Sequence, residues 1–218
     1  MGTLLTFEPP APHLRAALSA ATGADVGERA AGAAIRAEIA YYRAHLHEGG
    51  DAAGLAALRR ASAEAMRAAL PEPAASLGGE ALTAALLDAL RFHAYPEVPG
   101  TLRELRRRGI RLVVVSNRDV SLNERLAETG LASLVDGAVA SAELGAAKPD
   151  PAIFARGLEL AGVTAEAAWH AGDSPEADVE GALAAGLTPV LVARDGRAAA
   201  PGVATITALD GLLSMVDG

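Results

Sequence analysis

Residues 167–186 have the sequence AAWHAGDSPEADVEGALAAG, in which a short apolar run leads through an acidic loop into a helical pattern. The run Ala167–Ala171 is predicted to be a β-strand, and Asp173 follows its carboxyl end. Pro175 is favoured at the first position of a helix, and Gly186 is of a residue type that commonly ends one. Ligands of α/β proteins bind at the carboxyl ends of strands, so the loop that carries Asp173 is a candidate binding site.

Strand-like and helical patterns alternate along the chain from residue 93 onward. Further β-strands are predicted at Ile110–Val115, Val135–Ala140, Pro189–Ala193 and Val203–Thr207. Helices are predicted at Thr101–Arg108, Asp119–Thr129, Asp150–Ala161 and Pro175–Ala185, with a last helix after residue 207. Strands that alternate with helices are typical of an α/β fold, with a mostly parallel sheet covered by helices on both faces.

Residues 12–92 have a different pattern. Apolar residues such as Leu14 and Leu18 recur at helical spacings, and glycine or proline breaks divide the segment into about four helices. No strand-like run occurs in this segment. The sequence therefore predicts an all-helical domain at 12–92 and an α/β domain made of residues 1–11 and 93–218.

The composition excludes several classes of function. The 19 basic and 27 acidic residues give a formal net charge of −8, which argues against binding to a nucleic-acid backbone. The chain has no cysteine, which excludes disulfides, thiolate zinc sites and a cysteine nucleophile. It has neither an apolar run of the roughly 20 residues that cross a bilayer nor a secretory signal pattern. We expect a cytoplasmic protein that acts on a small molecule and has no nucleic-acid or membrane partner.

Lys148 is the only lysine in the chain, and the other 18 of the 19 basic residues are arginine. An ammonium group is a compact charge on a flexible stem, and the planar guanidinium of arginine does not replace it in a narrow site. Lys148 lies 25 residues before Asp173, in a loop that leads into a predicted helix. Ser116 and Asp173 follow two predicted strands, and Lys148 follows the end of a third element. We therefore expect the three side chains to meet at one edge of the sheet.

Three motifs together resemble those of the haloacid dehalogenase-like hydrolases. They match that family's second, third and fourth motifs in order, and they are Val113–Asn117, Lys148-Pro149, and Gly172-Asp173 with Asp178. The resemblance covers the whole chain. It implies that residues 1–11 and 93–218 form a Rossmann-like three-layer core. It also implies that residues 12–92 form a helical cap that is inserted after the first motif and controls substrate entry.

The resemblance implies a chemistry for these residues. In the family an aspartate attacks phosphorus or carbon and forms a covalent aspartyl intermediate. Ser116 and the amide of Asn117 would bind a phosphate oxygen, and Lys148 would neutralise the nucleophile and the charge that develops in the transition state. Asp173 would bind Mg²⁺ as a hard oxygen ligand. Asp178 would steady Lys148 or a metal-bound water, so the predicted catalytic residues are Lys148, Ser116 and Asp178.

Each of these residues also fits a purely structural role. Ser116 and Asn117 could cap the helix that follows them, and Asp173 could cap the next predicted helix in the same way. Asp178 could be an ordinary acidic residue in the first turn of that helix. Lys148 could be a solvated loop residue. In the strand before Asp173, Trp169 and His170 are predicted to be core residues, the histidine packed or hydrogen-bonded.

The family's first motif is a strand followed by Asp-x-x-Gly-Thr-Leu, and Gly2-Thr3-Leu4 match only its tail. The nucleophilic aspartate would lie three positions before Gly2, ahead of Met1. Because the family's first strand is central in the sheet, we expect the two strands beside it to have unpaired backbone groups. The simplest interpretation is that Met1 is an internal methionine. It would then stand two positions after the nucleophile, where phosphatases of the family usually carry an acid/base aspartate.

The leading functional prediction is a Mg²⁺-dependent phosphatase that acts on a small phosphorylated metabolite, with a chain of residues 1–218 that is itself inactive. Two alternatives stay open. One is a non-catalytic member of the family that binds a ligand or partner. The other is a 2-haloacid dehalogenase, which would release halide and need no Mg²⁺.

Overall fold

The computed structural model describes residues 2–196 and 201–216 of the chain. The chain divides into two compact units. One unit runs from Phe7 to Phe92, and the other contains the N-terminal residues up to Thr6 together with the chain from His93 onward. The first unit thus begins five residues earlier than the predicted helical segment, 12–92.

The Phe7–Phe92 unit contains four α-helices, and short 3-10 turns lie in the connections that follow the second and third of them. They are α1 (Pro10–Thr22), α2 (Glu28–His45), α3 (Ala52–Met66) and α4 (Gly79–Ala89). Leu14 and Leu18, one turn apart on α1, are fully buried and pack with Met66 and Leu82 in one apolar cluster. The helical spacing in the sequence reflects this burial, because residues four apart lie on the same helix face.

Two short strands were not predicted from the sequence. They are β1 (Leu5–Phe7) and β2 (Phe92–Ala94), which pair with each other. The expectation of no strand-like run in residues 12–92 is therefore wrong at Phe92, the last residue of that segment. A strand of three residues is too short to produce a recognisable alternation of apolar and polar positions.

The other unit has an α/β, Rossmann-like fold. Its strands are β3 (Val113–Ser116), β4 (Gly137–Ala140), β5 (Trp169–Gly172), β6 (Thr188–Val192) and β7 (Ala204–Ile206). Its helical segments are α5 (Val98–Arg107), α6 (Leu122–Glu128), α7 (Ser141–Leu144), α8 (Pro151–Ala161), a π-helical segment (Pro175–Glu180), α9 (Gly181–Ala184) and α10 (Gly211–Met215). All five predicted strands are present, each with shifted or shortened bounds, and helical segments cover the strands in three apolar clusters.

The parallel strands form two separate sheets in the described residues, whereas the sequence predicted one sheet. In the first sheet β3 pairs with β4, and Ser116 lies opposite Ala140. In the second sheet β5 pairs with β6 and β6 with β7, and Gly172 lies opposite Leu191. Within residues 2–196 and 201–216, β3 and β5 each have one partner strand and one free edge. In the described residues β4 and β7 also have one partner strand each, so the expectation of two strands with unpaired backbone groups stays a prediction.

Helix α8 shows how local sequence fixes an element beside the site. The Asp150 side chain accepts a hydrogen bond of 2.8 Å from Ala152 N and caps the helix, while Pro151 takes its first position. Ile153 and Phe154 are buried against the strands. Gly162, in a left-handed conformation, ends the helix. The loop that carries Lys148 is thereby joined to a rigid helix. None of the helices in the described part of the chain is long and apolar enough to cross a membrane.

Candidate active site

The predicted site residues lie around one cavity of about 700 Å³ in the α/β unit. Ser116 ends β3, Asp173 follows β5, and Lys148 lies in the loop between α7 and α8. All three line the cavity, together with Asn117 and Asp178. The structure therefore brings together every residue that the sequence analysis proposed for the site.

An ion pair between Lys148 and Asp178 is the most buried part of the site. Lys148 Nζ donates to Asp178 Oδ1 at 2.5 Å, and the side chains are only 11% and 6% exposed. The other carboxylate oxygen, Oδ2, accepts from Ser174 N at 2.9 Å. Gly172 is required here, because a Cβ at this position would lie 2.1 Å from Asp178 Cγ. Asp178 is therefore not the ordinary exposed acidic residue that a helix first turn would allow.

His170 donates the third hydrogen bond to this carboxylate. Its Nε2 lies 2.9 Å from Asp178 Oδ1, and its ring packs edge-on against Phe154 with 5.0 Å between ring centroids. Burial opposes ionisation of Asp178, but the hydrogen bond from His170 and the charge of Lys148 hold its pKa well below the usual range. Because the carboxylate is ionised, Nε2 carries the hydrogen.

From the sequence, His170 is predicted to be a packed or hydrogen-bonded core residue with no part in the site. It is hydrogen-bonded, as expected, but to the carboxylate that binds Lys148. The signal that could have identified it is a polar side chain in the apolar strand β5, three residues before Asp173.

Asn117 holds the backbone of the lysine loop. Its Oδ1 accepts from Lys148 N at 2.7 Å, and its Nδ2 donates to Lys148 O at 2.8 Å. Lys148 Nζ also donates to Val115 O in β3 at 2.9 Å. Three hydrogen bonds therefore connect the end of β3 to the only lysine of the chain.

Ser116, Asn117 and Asp173 do not cap the helices that follow them. Helix α6 follows Asp119, whose Oδ1 accepts from Ser121 N at 2.9 Å and from Ser121 Oγ at 2.5 Å. Ser116 and Asn117 lie before this turn and do not cap the helix. At the next loop, Ser174 and not Asp173 caps the segment at Pro175, since Ser174 Oγ accepts from Ala177 N at 3.1 Å.

Asp173 contacts the N-terminal segment. Thr3 Oγ1 donates to Asp173 Oδ1 at 2.7 Å. Gly2 has a φ of 112°, and a Cβ on it would lie 2.4 Å from Asp173 Oδ2, so only glycine fits this approach. In the described residues no group of three or more His, Cys, Asp or Glu side chains comes together as a metal site. Asp173 alone would supply one hard oxygen ligand, which fits a Mg²⁺ ion whose other ligands come from substrate, water and a further carboxylate.

The cavity is lined by residues of two strands that have a free edge in the described part, by Val113, Val114 and Val115 of β3 and by Trp169, His170 and Ala171 of β5. The prediction that Trp169 is a core residue is wrong, because it is 42% exposed. β5 has no neighbouring strand on this side in the described residues. The acidic residues of the lining in the described part are Asp173 and Asp178.

Comparison with known proteins agrees with the motifs. The family model for haloacid dehalogenase-like hydrolases matches residues 1–186. The chain belongs to this family. A phosphoserine phosphatase from Thermus thermophilus is 41% identical over 105 residues, which are 48% of this hydrolase and 42% of the relative. The hydrolase thus spans less than half the length of this curated relative.

Solved structures match the haloacid dehalogenase-like chain over its whole length. A phosphatase of the family from Thermococcus onnurineus is 25% identical with a TM-score of 0.66, covering 100% of this chain and 95% of its own. A 2-haloacid dehalogenase from Pseudomonas syringae is 26% identical with a TM-score of 0.66, covering 99% and 94%. Phosphatases and dehalogenases are therefore both among its structural neighbours.

Proposed function

We propose that this hydrolase is a Mg²⁺-dependent phosphatase that acts on a small phosphorylated metabolite through an aspartyl intermediate. The observation that carries the proposal is the position of the Lys148 ammonium group. It is held between Val115 O and Asp178 Oδ1, at the cavity that Ser116 and Asp173 also line. The phosphatase names of several relatives support a phosphorylated substrate.

Each side chain is assigned a separate part of the reaction. The Ser116 hydroxyl and the backbone amide of Asn117 would bind oxygens of the phosphoryl group. Lys148 would offset negative charge on the attacking carboxylate and on the transferring group. Asp173 would bind Mg²⁺, which supplies further positive charge to the phosphate. The carboxylate of Asp178, fixed by three hydrogen bonds, would keep the ammonium group of Lys148 in place.

We propose that the nucleophile is an aspartate three positions before Gly2. Its carboxylate would form a bond to phosphorus while the bond to the leaving alcohol breaks, and water would then hydrolyse the acyl phosphate. The acidic residues that line the cavity in the described part support this, since both are engaged. Asp178 accepts from three donors, and Asp173 accepts from Thr3. Residues 1–218 alone are therefore proposed to lack turnover.

A strand before Gly2 would also account for the free edges of β3 and β5. The cavity between them has mainly apolar side chains in its lining, and a parallel strand there would give both edges a partner. The helical Phe7–Phe92 unit is proposed to serve as the cap that selects the substrate.

A 2-haloacid dehalogenase is the second candidate. The structural neighbour from Pseudomonas syringae supports it, because it matches 99% of this chain at 26% identity. Met1 would also stand where the phosphatases of the family usually carry an acid/base aspartate. In that case the same carboxylate would attack carbon and displace a halide.

The experiment compares residues 1–218 with an extended chain, in which the segment Ile-Val-Ile-Val-Asp-Ala is placed before Met1 so that the new aspartate stands three positions before Gly2. Phosphate release from p-nitrophenyl phosphate is measured with and without Mg²⁺, and chloride release from 2-chloropropionate in parallel. We expect Mg²⁺-dependent phosphate release from the extended chain only, and none after Asp→Asn at the added position.

The other outcomes decide between the alternatives. Chloride release without Mg²⁺ would establish the dehalogenase. If the extended chain is folded but catalyses neither reaction, the non-catalytic alternative is favoured. Phosphate release by residues 1–218 above a buffer blank would refute the assignment of the nucleophile.

A further inference from the structure

Arg194 binds the N-terminal segment that Asp173 also contacts. It follows β6 by two residues, and its side chain is 20% exposed. Nε donates to Gly2 O and Nη2 donates to Thr3 O, both at 2.8 Å. One guanidinium group therefore binds two consecutive backbone carbonyls.

Two further groups fix the plane of this guanidinium. Nη2 also donates to Glu97 Oε1 at 2.6 Å, and the Arg194 Cζ atom lies 3.4 Å from the centroid of the Tyr95 ring. Burial opposes ionisation of Glu97, but the hydrogen bond from Arg194 lowers its pKa, so the pair is ionic at neutral pH. Glu97 Oε1 accepts in addition from Leu209 N at 3.4 Å. Tyr95 thus contacts the face of the Arg194 guanidinium and Glu97 its edge, and both contacts are separate from those with Gly2 and Thr3.

The segment that Arg194 binds is the one that contacts the proposed metal ligand. Thr3 Oγ1 donates to Asp173 Oδ1, and Gly2 approaches Asp173 too closely for any side chain. Arg194 and Glu97 are not among the residues that line the cavity in the described part. Any effect of Arg194 on the site is therefore transmitted through Gly2 and Thr3.

We propose that Arg194 is a positioning residue, which sets the Gly2–Thr3 segment against Asp173 and thereby orients the Asp173 carboxylate. This inference rests on the proposed function, in which Asp173 binds Mg²⁺ and the nucleophile precedes Gly2. It requires arginine. The planar guanidinium group can donate to two carbonyls and a carboxylate while it stacks on a ring, whereas a lysine ammonium group cannot contact all four groups in that geometry.

A matched control exists within the same unit. Arg108 is 24% exposed, and it also binds a glutamate and a backbone carbonyl, with Nε donating to Glu104 Oε1 and Nη1 to Leu213 O, each at 2.8 Å. Leu213 and Glu104 do not line the cavity. Arg194→Lys and Arg108→Lys therefore remove similar bonds at similar burial, and only the first affects the segment beside Asp173.

The first measurement does not depend on activity. In residues 1–218 and in the extended chain, hydrogen exchange of the peptide that contains Gly2–Leu5 is compared between the two variants and the parent. Gly2 N donates to Leu5 O, so loosening of the segment exposes its amides. We expect exchange to be faster by about tenfold or more in Arg194→Lys and unchanged in Arg108→Lys. Equal exchange in Arg194→Lys and the parent would overturn the proposal, whether or not the chain is an enzyme.

The second measurement uses the extended chain as an enzyme. Arg194→Lys should raise the Mg²⁺ concentration for half-maximal phosphate release and lower kcat, with little change in KM for p-nitrophenyl phosphate. Thr3→Val removes the hydrogen bond to Asp173 and should have a similar effect. Because both substitutions break the same connection, the double variant should be little worse than either alone.

The results separate failure of this inference from failure of the proposed function. An extended chain without phosphatase activity, but with faster exchange in Arg194→Lys, would refute the proposed function and retain the positioning of the segment. An active chain in which Arg194→Lys and Arg108→Lys lower kcat equally would show that Arg194 is only a stabilising residue, and the inference would fail. Additive effects of Arg194→Lys and Thr3→Val would also refute it.

Discussion

Lys148 Nζ lies 2.5 Å from Asp178 Oδ1, and this contact joins the loop before α8 to the segment that follows β5. Both side chains are nearly buried, so neither charge is screened by water as it would be at the surface. Removal of either partner leaves the other charge buried and unpaired. The ion pair is therefore a structural element of the site as well as a candidate part of its chemistry.

Lys148→Arg in the extended chain should be nearly as damaging as Lys148→Ala. Arginine keeps the charge, but its planar guanidinium group cannot contact both Val115 O and Asp178 Oδ1 as the compact ammonium group does. Loss of a preorganised charge at such a centre lowers kcat by about 10²–10³. Steady-state phosphate release measures this. Arg156→Lys, at an exposed position on α8, is the control for exchanging lysine and arginine as such. High residual activity in Lys148→Arg would show that the single lysine is an accident of composition.

His170→Leu should lower kcat while His170→Gln should retain most of it. Leucine removes the hydrogen bond to Asp178 Oδ1, whereas the glutamine amide can still donate one. A hydrogen bond to a charged group contributes about 1.5–3 kcal/mol, so we expect a loss of about tenfold or more in kcat for leucine. KM for the substrate should hardly change, because His170 acts through Asp178. Equal activity of the two variants would contradict a positioning role.

Asp178→Asn should destabilise the protein strongly at pH 7 and by a smaller amount at pH 3, where part of the stabilisation is already lost. The folded-state pKa of Asp178 is lowered from 3.8, so the folded protein holds the ionised form more tightly than the unfolded chain does. That stabilisation is fully present above the unfolded pKa and is lost as the pH falls through the folded one. Breaking a buried pair costs about 3–5 kcal/mol. Urea unfolding at pH 7 and pH 3 measures the difference, and an effect of equal size at both would refute the assigned ionisation.

Asp173→Asn should move the Mg²⁺ requirement of the extended chain to higher concentration. An amide oxygen is a weaker ligand for a hard cation than a carboxylate, but it can still accept the hydrogen bond from Thr3. The fold should therefore be unaffected. A magnesium titration of phosphate release gives the shift, and the thermal midpoint gives the control. If the titration curve does not move, Asp173 is not the metal ligand.

The order of elements was predictable from local patterns. The strands from β3 to β7 were all predicted, because short apolar runs between polar loops alternate with helical spacings. The strands β1 and β2 were not predicted, since three residues carry no periodicity. The exposure of Trp169 was also not predictable from local sequence, because it depends on which distant segments pack against β5.

The candidate site was predictable only in part. Ser116, Lys148, Asp173 and Asp178 were identified from motifs, and all four line one cavity. The roles of His170 and Arg194 were not, because each depends on contacts between segments that are distant in the sequence. Arg194 lies more than 190 residues from the carbonyl groups that it binds. Spacing along the chain contains no signal for such a pair.

Glu38 gives the helical unit a dependence of stability on pH. It lies on α2, is 5% exposed, and burial raises its pKa from 4.5 to about 7. Between these values the folded chain keeps the proton and the unfolded chain has lost it. Stability therefore falls as the pH rises from 4.5 to about 7, and it is constant above that range. At 1.36 kcal/mol per pH unit, the largest loss is about 3 kcal/mol.

Glu38→Gln should remove this dependence. Glutamine has nearly the shape of the protonated glutamate and cannot ionise, so the variant should be close to the parent in thermal midpoint at pH 5 and clearly more stable at pH 8. Glu48→Gln, at an exposed position of the same unit, is the matched control and should show no such difference. The thermal midpoints of the three chains at both pH values are the measurement. If Glu38→Gln is no more stable than the parent at pH 8, the raised pKa of Glu38 is refuted.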